Sequence, residues 1–412
     1  MWRRRPSQSE SLPASNPAYA YPFSNPQGSA QMSRRGPIEG PYGNRLTRRV
    51  TWRSSTYKLV AYLYVMGVLY IVWLIRDLFF LPFSSSSTPS AGANLPATHD
   101  YLAQFKGRQE CGISSLSLYN PPSVNDHEEL RDAYCQNRTS LLDALSNGGR
   151  LGFDAPYTPR GCHYRWYTTE EICNVLRRFD SVIFVGDGSL ANIYAGFNIL
   201  LRQDLAHGSL KQWEMSNERL EACKCEKQFS RDYCPLYQLR SSEEVYSMGR
   251  AAKENAYACS SHVSHTFLSI SGSPAPSGTK EKFEQLLKST KGKKPIPVIH
   301  SLTLPAALSQ QSAIASLDEW LRLARVSGRK VPFLWVGPTD VKDPAFLETQ
   351  GNGAIARYTL DMIEPVRRRG VDALGMYNLT LQATTWDGSH YGEKTSLVQA
   401  MMLINWLAFL DD

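Results

Sequence analysis

Two short stretches of this 412-residue chain carry residue types whose spacing can do chemistry. "TTWDGSHYGEKTS" places Asp387 and His390 three residues apart, so that one loop can set a carboxylate beside an imidazole. In such a pair the imidazole takes a proton from an attacking group, while the carboxylate holds its other nitrogen and stabilises the imidazolium. "SVIFVGDGSLANIYAGFNILL" offers two partners for that chemistry. Gly186, Gly188 and Ala191 fit G-x-G-x-x-A, a turn that cradles a phosphate at a helix N-terminus. The same letters nearly spell Gly-Asp-Ser, a turn that presents a serine nucleophile after the first strand of an α/β sheet.

The surrounding pattern separates the two. A dinucleotide turn needs a second strand soon after its helix, ending in an acid for the ribose. Asp204 has about the right offset, but "FNILLRQ" continues the helix and leaves no strand before it. The hydrolase reading finds its base where it is needed, in the loop between the last strand and the final helix. D-x-x-H by itself suits a solvated loop with a helix cap; its position opposite the first-strand turn favours Ser189 as nucleophile, His390 as base and Asp387 as its orienter. No bound cofactor follows from this reading, and an acyl donor such as acetyl-CoA or an acetylated intermediate would enter as substrate.

The elements that must position these residues are legible as alternating apolar runs and helical patterns. Residues 181–185 read as a strand and 190–202 as a helix. "HVSHTFLSI", "PIPVIH", "VPFLWVG" and "VDALGMYN" read as further strands. "EKFEQLLKS", "AIASLDEWLRLARV", "AIARYTLDMIEPVRRR" and the apolar "EKTSLVQAMMLINWLAFL" read as helices. Strands alternating with helices predict an α/β fold, a parallel sheet covered on both faces that binds ligands at the carboxyl ends of its strands. A candidate oxyanion donor there is the backbone N–H after Asp187; the strand ends with His300 and Ser301 and with Gly337 and Asp340 supply no Asn for that role. Asn352 serves equally well as such a donor or as a helix cap.

The N-terminal part has a different composition. Residues 1–58 hold nine Arg and Lys58 against Glu10 and Glu39, net +8, which leaves −1 for the rest of a chain of net +7. No basic patch is left for nucleic acid. Residues 1–56 read as a disordered basic tail, 57–81 as a transmembrane helix built on the uncharged run Leu59–Ile75, and 82–100 as a stem. Positive charge ahead of the span predicts a single-pass type II protein, its tail cytoplasmic and residues 101–412 in the Golgi or ER lumen.

All eight cysteines follow the span, as do the sequons at Asn137 and Asn378. An even cysteine count in an oxidising space predicts disulfides, in a lead-in over 101–175 and an insertion over about 205–260 tied down by its own bridges. Zinc at Cys223, Cys225 and Cys234 with His262 and His265 is the lesser alternative, because "HVSH" sits in an extended pattern.

Residues 150 to 412 resemble a known family. "GCHYRWYTTEEICNVLRRFDSVIFVGDGS", the paired later cysteines, "QGNGA" and "WDGSHYGEKTSLVQAMMLINWLAFL" are similar to fungal Golgi-type proteins of the GDS/D-x-x-H branch of SGNH hydrolases. These are related to capsule-associated proteins and more distantly to trichome-birefringence-like polysaccharide O-acetyltransferases. The resemblance implies a three-layer flavodoxin-like domain that acts on acyl groups of glycans, with Asp387 and His390 as two members of a triad. This chain departs from the pattern at the third: Asp187 stands in place, but Gly188 takes the nucleophile position and Ser189 follows it. One helical residue turns a side chain by about 100°. A glycine at 188 would permit a compensating turn, because positive φ costs it little.

The expectation is therefore a luminal O-acyltransferase or esterase on cell-wall or capsule polysaccharide with an altered nucleophile turn. The alternative is a catalytically inactive glycan-binding or scaffolding relative. A glycosyltransferase ranks behind both, because the luminal part carries no D-x-D motif.

Overall fold

The computed structural model describes residues 55–79, 100–122, 133–230, 232–248, 255–289, 294–303, 307–349 and 351–410. The chain divides into two units, 1–93 and 94–412. The first contains a 25-residue helix, Ser55–Phe79, over most of the expected 57–81 span. Among the described residues no helix is long and apolar enough to cross a membrane. The tail and nearly all of the stem lie outside the described residues.

The second unit is built on five parallel strands: β1 (Val182–Gly186), β2 (His265–Ser269), β3 (Val298–Ser301), β4 (Phe333–Val336) and β5 (Asp372–Leu374). Their order is β2-β1-β3-β4-β5, the flavodoxin-like arrangement. The order reverses between β2 and β3, which puts the switch point at the carboxyl end of β1. The helices that follow the strands are α1 (Gly188–Arg202), α2 (Ser277–Ser289), α3 (Gln310–Val326), α4 (Gly351–Arg367) and α5 (Glu393–Ala408). Every strand and helix expected from the sequence pattern has a counterpart here.

Strand alternation divides the core into two layers. Val182, Phe184, Leu334, Val336 and Leu374 pack with α1 and α5 on one face. Ile183, Val185, Val298, Trp335 and Ala373 pack with α2, α3 and α4 on the other. α1 and α5 approach so closely that a Cβ on Gly196 would overlap the Ser396 carbonyl. Gly196→Val should therefore separate these two helices and cost several kcal/mol, an overpacking penalty at the upper end of the usual range. A chemical-denaturation midpoint close to that of the parent would contradict this contact.

The cysteines form four bridges, Cys111–Cys225, Cys135–Cys162, Cys173–Cys259 and Cys223–Cys234. Only the last lies within the insertion. Cys111–Cys225 and Cys173–Cys259 instead tie the insertion to the lead-in and to the helix Thr169–Leu176 ahead of β1. Three of the zinc candidates, Cys223, Cys225 and Cys234, are thus not thiolates, and His265 lies buried on β2 against the Tyr194 hydroxyl, 2.8 Å away.

Candidate active site

Gly186 closes β1 where nothing larger fits, since a Cβ there would press on Leu190 and on the Ser301 carbonyl. The chain then turns through Asp187, which caps α1. Its Oδ1 accepts from the N–H groups of Ser189 and Leu190 at 3.1 and 3.4 Å. Its Oδ2 accepts from the Thr303 hydroxyl at 2.8 Å and the Thr303 N–H at 3.0 Å, so one carboxyl joins the β1 turn to the segment after β3. At 3 % exposure, burial pushes this carboxyl up, and the four hydrogen bonds oppose that rise. Asp187 is a positioning group, its oxygens committed to the turn. Asp187→Ala removes a cap and strands the Thr303 donors, an expected loss of about 2 to 3 kcal/mol in equilibrium unfolding. A loss under about 0.5 kcal/mol would remove that role.

The base comes from the loop after β5, which closes through a bridge between Thr385 and Tyr391. Asp387 Oδ1 accepts from the backbone N–H groups of Ser389 and His390 at 2.9 and 2.7 Å. Its Oδ2 lies 2.6 Å from His390 Nδ1. Burial alone would raise the Asp387 carboxyl, but the His390 side chain and the two backbone donors together hold it below the ordinary carboxylate range. It is therefore ionised at neutral pH and fixes the proton on Nδ1, with the Ser389 hydroxyl 3.0 Å from the same nitrogen. His390 Nε2 is left with its lone pair exposed as an acceptor.

That nitrogen faces Gly188. A Cβ built on Gly188 would lie 3.2 Å from His390 Nε2, the only atom within 4 Å among the described residues outside its own helix and chain neighbours. No hydrogen bond joins Ser189 Oγ to His390; the N–H of Ser189 serves the Asp187 cap instead. The structure brings Gly188, Asp387 and His390 together and leaves Ser189 one helical step away. Gly188 is exposed and has no positive φ, so the expected compensating turn is absent and the backbone does not require glycine.

Other residues hold the loop and have no local sequence signal. Gly388, at φ +86°, packs against the backbone of Asp343, where a Cβ would come within 2.8 Å of its nitrogen. The Asn192 amide on α1 donates to the Tyr391 carbonyl at 3.3 Å, and the Tyr391 hydroxyl donates to the Asp340 carbonyl at 3.0 Å. Glu226, from the insertion, seats its carboxylate on Gly392 and accepts from the Glu393 N–H at 2.9 Å, which caps α5 directly after His390. Trp386, 39 % exposed, lies nearly parallel to the His390 ring with centroids 6.0 Å apart.

The strand-end candidates divide. His300 turns away, its Nε2 3.1 Å from the Ser316 hydroxyl on α3. Asp340 is 1 % exposed, and burial raises its pKa against the opposing effects of the Lys342 ammonium and the Val341 N–H. Asn352 is the second residue of α4 and its Oδ1 is unpartnered. A concavity of about 600 Å³, lined by Tyr134, His163, Arg165, Asn405 and Phe409, lies at the far end of α5 from His390. Neither a family model nor a curated protein matches this chain.

Proposed function

We propose that the protein is a luminal O-acyltransferase or esterase acting on acyl groups of cell-wall or capsule polysaccharide. One observation carries the reading: an imidazole oriented by an ionised carboxylate presents its free nitrogen at the carboxyl end of β1, the switch point of the sheet. Acyl transfer needs such a base, and the N–H of Gly188 at the N-terminus of α1, which the Asp187 cap does not use, is left for a developing oxyanion. The resemblance to the GDS/D-x-x-H branch of SGNH hydrolases supports the same chemistry. Phe153, 68 % exposed, with Trp386 and the Lys342 ammonium 5.3 Å from the Phe153 ring centroid, offers aromatic and polar surface suited to a sugar chain. Full-length protein should release acetate from an acetylated oligosaccharide, and His390→Ala should lower that rate at least 100-fold. Equal rates in the two proteins would remove the reading.

Gly188 favours the second reading, an inactive glycan-binding or scaffolding protein, because a glycine rather than a serine stands opposite His390 Nε2. Binding of an acetylated oligosaccharide with no release of acetate would select it.

A type II topology completes the proposal, with the basic tail cytoplasmic, the uncharged run Leu59–Ile75 as anchor and the domain in the Golgi or ER. Disulfide bonds, the charge ahead of the helix and exposed Asn137 support it. Asn378 donates its amide to the Ser146 carbonyl at 2.8 Å, and its sequon threonine is buried, so Asn137 is the better acceptor. Glycosidase should lower the mass of the protein, and Asn137→Gln should abolish that shift. A shift that survives Asn137→Gln and disappears in Asn378→Gln would reverse the assignment.

A further inference from the structure

We infer that this site works without a covalent acyl-enzyme: an O–H group of water or of a sugar acceptor takes the place that a serine hydroxyl would hold, and His390 activates it directly. The inference rests on the acyl-transfer reading and adds the identity of the nucleophile.

Three observations carry it. His390 Nδ1 is engaged by Asp387 Oδ2 at 2.6 Å, so the proton-accepting nitrogen is Nε2. A side chain at 188 would begin 3.2 Å from that nitrogen and meet nothing else beyond its own helix and neighbours. The backbone at 188 is not in the left-handed region, so φ does not demand glycine there. Glycine at this position therefore has one local consequence: no side chain stands between His390 Nε2 and solvent. An oxygen placed about 2.8 Å from Nε2 fits there. The neighbouring Ser189 belongs to the next helical step and has no hydrogen bond to His390, and the Ser389 hydroxyl lies on the Nδ1 side of the ring.

The step balances with groups on the page and two substrates. As the O–H oxygen adds to the ester carbonyl carbon, its proton passes to Nε2 and the carbonyl electron pair moves to oxygen. The N–H of Gly188, first residue of α1 and without an intrahelical acceptor, is placed to receive that oxyanion. Collapse reforms the carbonyl, breaks the bond to the leaving sugar oxygen and returns the Nε2 proton to it. Asp387 stays ionised throughout and stabilises the imidazolium. With water the product is free acid; with an acceptor hydroxyl it is a new ester.

The test uses the full-length protein with 4-nitrophenyl acetate, with and without an added oligosaccharide acceptor. Nitrophenolate should appear without an initial burst, and acid-quenched protein should show no added acetyl mass. His390→Ala should lose at least 100-fold in rate. Gly188→Ala should lose a similar factor, because its methyl stands where the oxygen must sit, with an unchanged melting temperature as control. Acetylated acceptor rising with acceptor concentration identifies the sugar hydroxyl as nucleophile, and acetate alone identifies water; both support the inference. A burst with one acetyl group on Ser189 or any other side chain overturns it and leaves the acyl-transfer reading standing. Unimpaired turnover by Gly188→Ala also overturns it alone. No turnover above His390→Ala overturns both.

Discussion

Taking the protein from pH 7 to pH 4.5 is expected to cost roughly 5 kcal/mol of folding stability through two histidines. His265 on β2 and His300 on β3 are fully buried on the two strands that flank β1. Each keeps one ring nitrogen without a partner, and burial holds each pKa down at about 3 against 6.5. Between those values the unfolded chain binds a proton that the folded protein refuses, so stability rises with pH across the window. It is complete above about 6.5 and is lost as pH falls towards 3. At pH 4.5 each histidine accounts for roughly 2 to 3 kcal/mol, together a large part of an ordinary folding free energy. The buried carboxyls of Asp187, Glu226 and Glu393 are raised and act in the opposite sense, gaining their protons first in the folded state. A difference measurement separates the two: urea unfolding of His300→Gln should lose less stability than the parent between pH 7 and 4.5. Parallel curves would mean that His300 is not held neutral.

The bridges are expected to differ in worth according to the chain they close. Cys111–Cys225 spans 114 residues and Cys223–Cys234 only 11. Restricting the unfolded chain over the longer loop corresponds to about 4.7 kcal/mol, over the shorter to about 3 kcal/mol. The long bridge also anchors Cys225 beside Glu226, the residue that caps α5 after His390. Replacing Cys111 and Cys225 together by serine should therefore lower both the unfolding midpoint and acetate release. The Cys223 and Cys234 double replacement should be the milder of the two. The reverse order would show that unfolded-chain restriction does not govern this framework.

The five strands and five sheet-flanking helices were legible because both periodicities are strong here, apolar β-runs alternating with long amphipathic helices. The D-x-x-H pair was legible for a related reason. Asp387 and His390 are three residues apart on one loop, so spacing alone sets their geometry. The nucleophile was not, since whether residue 188 or 189 faces an imidazole some 200 residues later depends on where α1 begins, and Asp187 starts it immediately. Thr303 and Glu226 gave no signal either. Each holds the site through a contact across 116 or 167 residues, which only the topology creates. The bridges show the same limit: the cysteine count predicted disulfides, while pairing Cys225 with Cys111 required the fold.

The central claim, that position 188 rather than 189 faces a competent base, is tested most directly by putting the missing hydroxyl back. Gly188→Ser should become labelled by a fluorophosphonate, one label per chain on residue 188, and the label should vanish when His390→Ala is added. The parent protein should remain unlabelled. Labelling of the parent at Ser189, or a folded Gly188→Ser protein that stays unlabelled, would contradict the account.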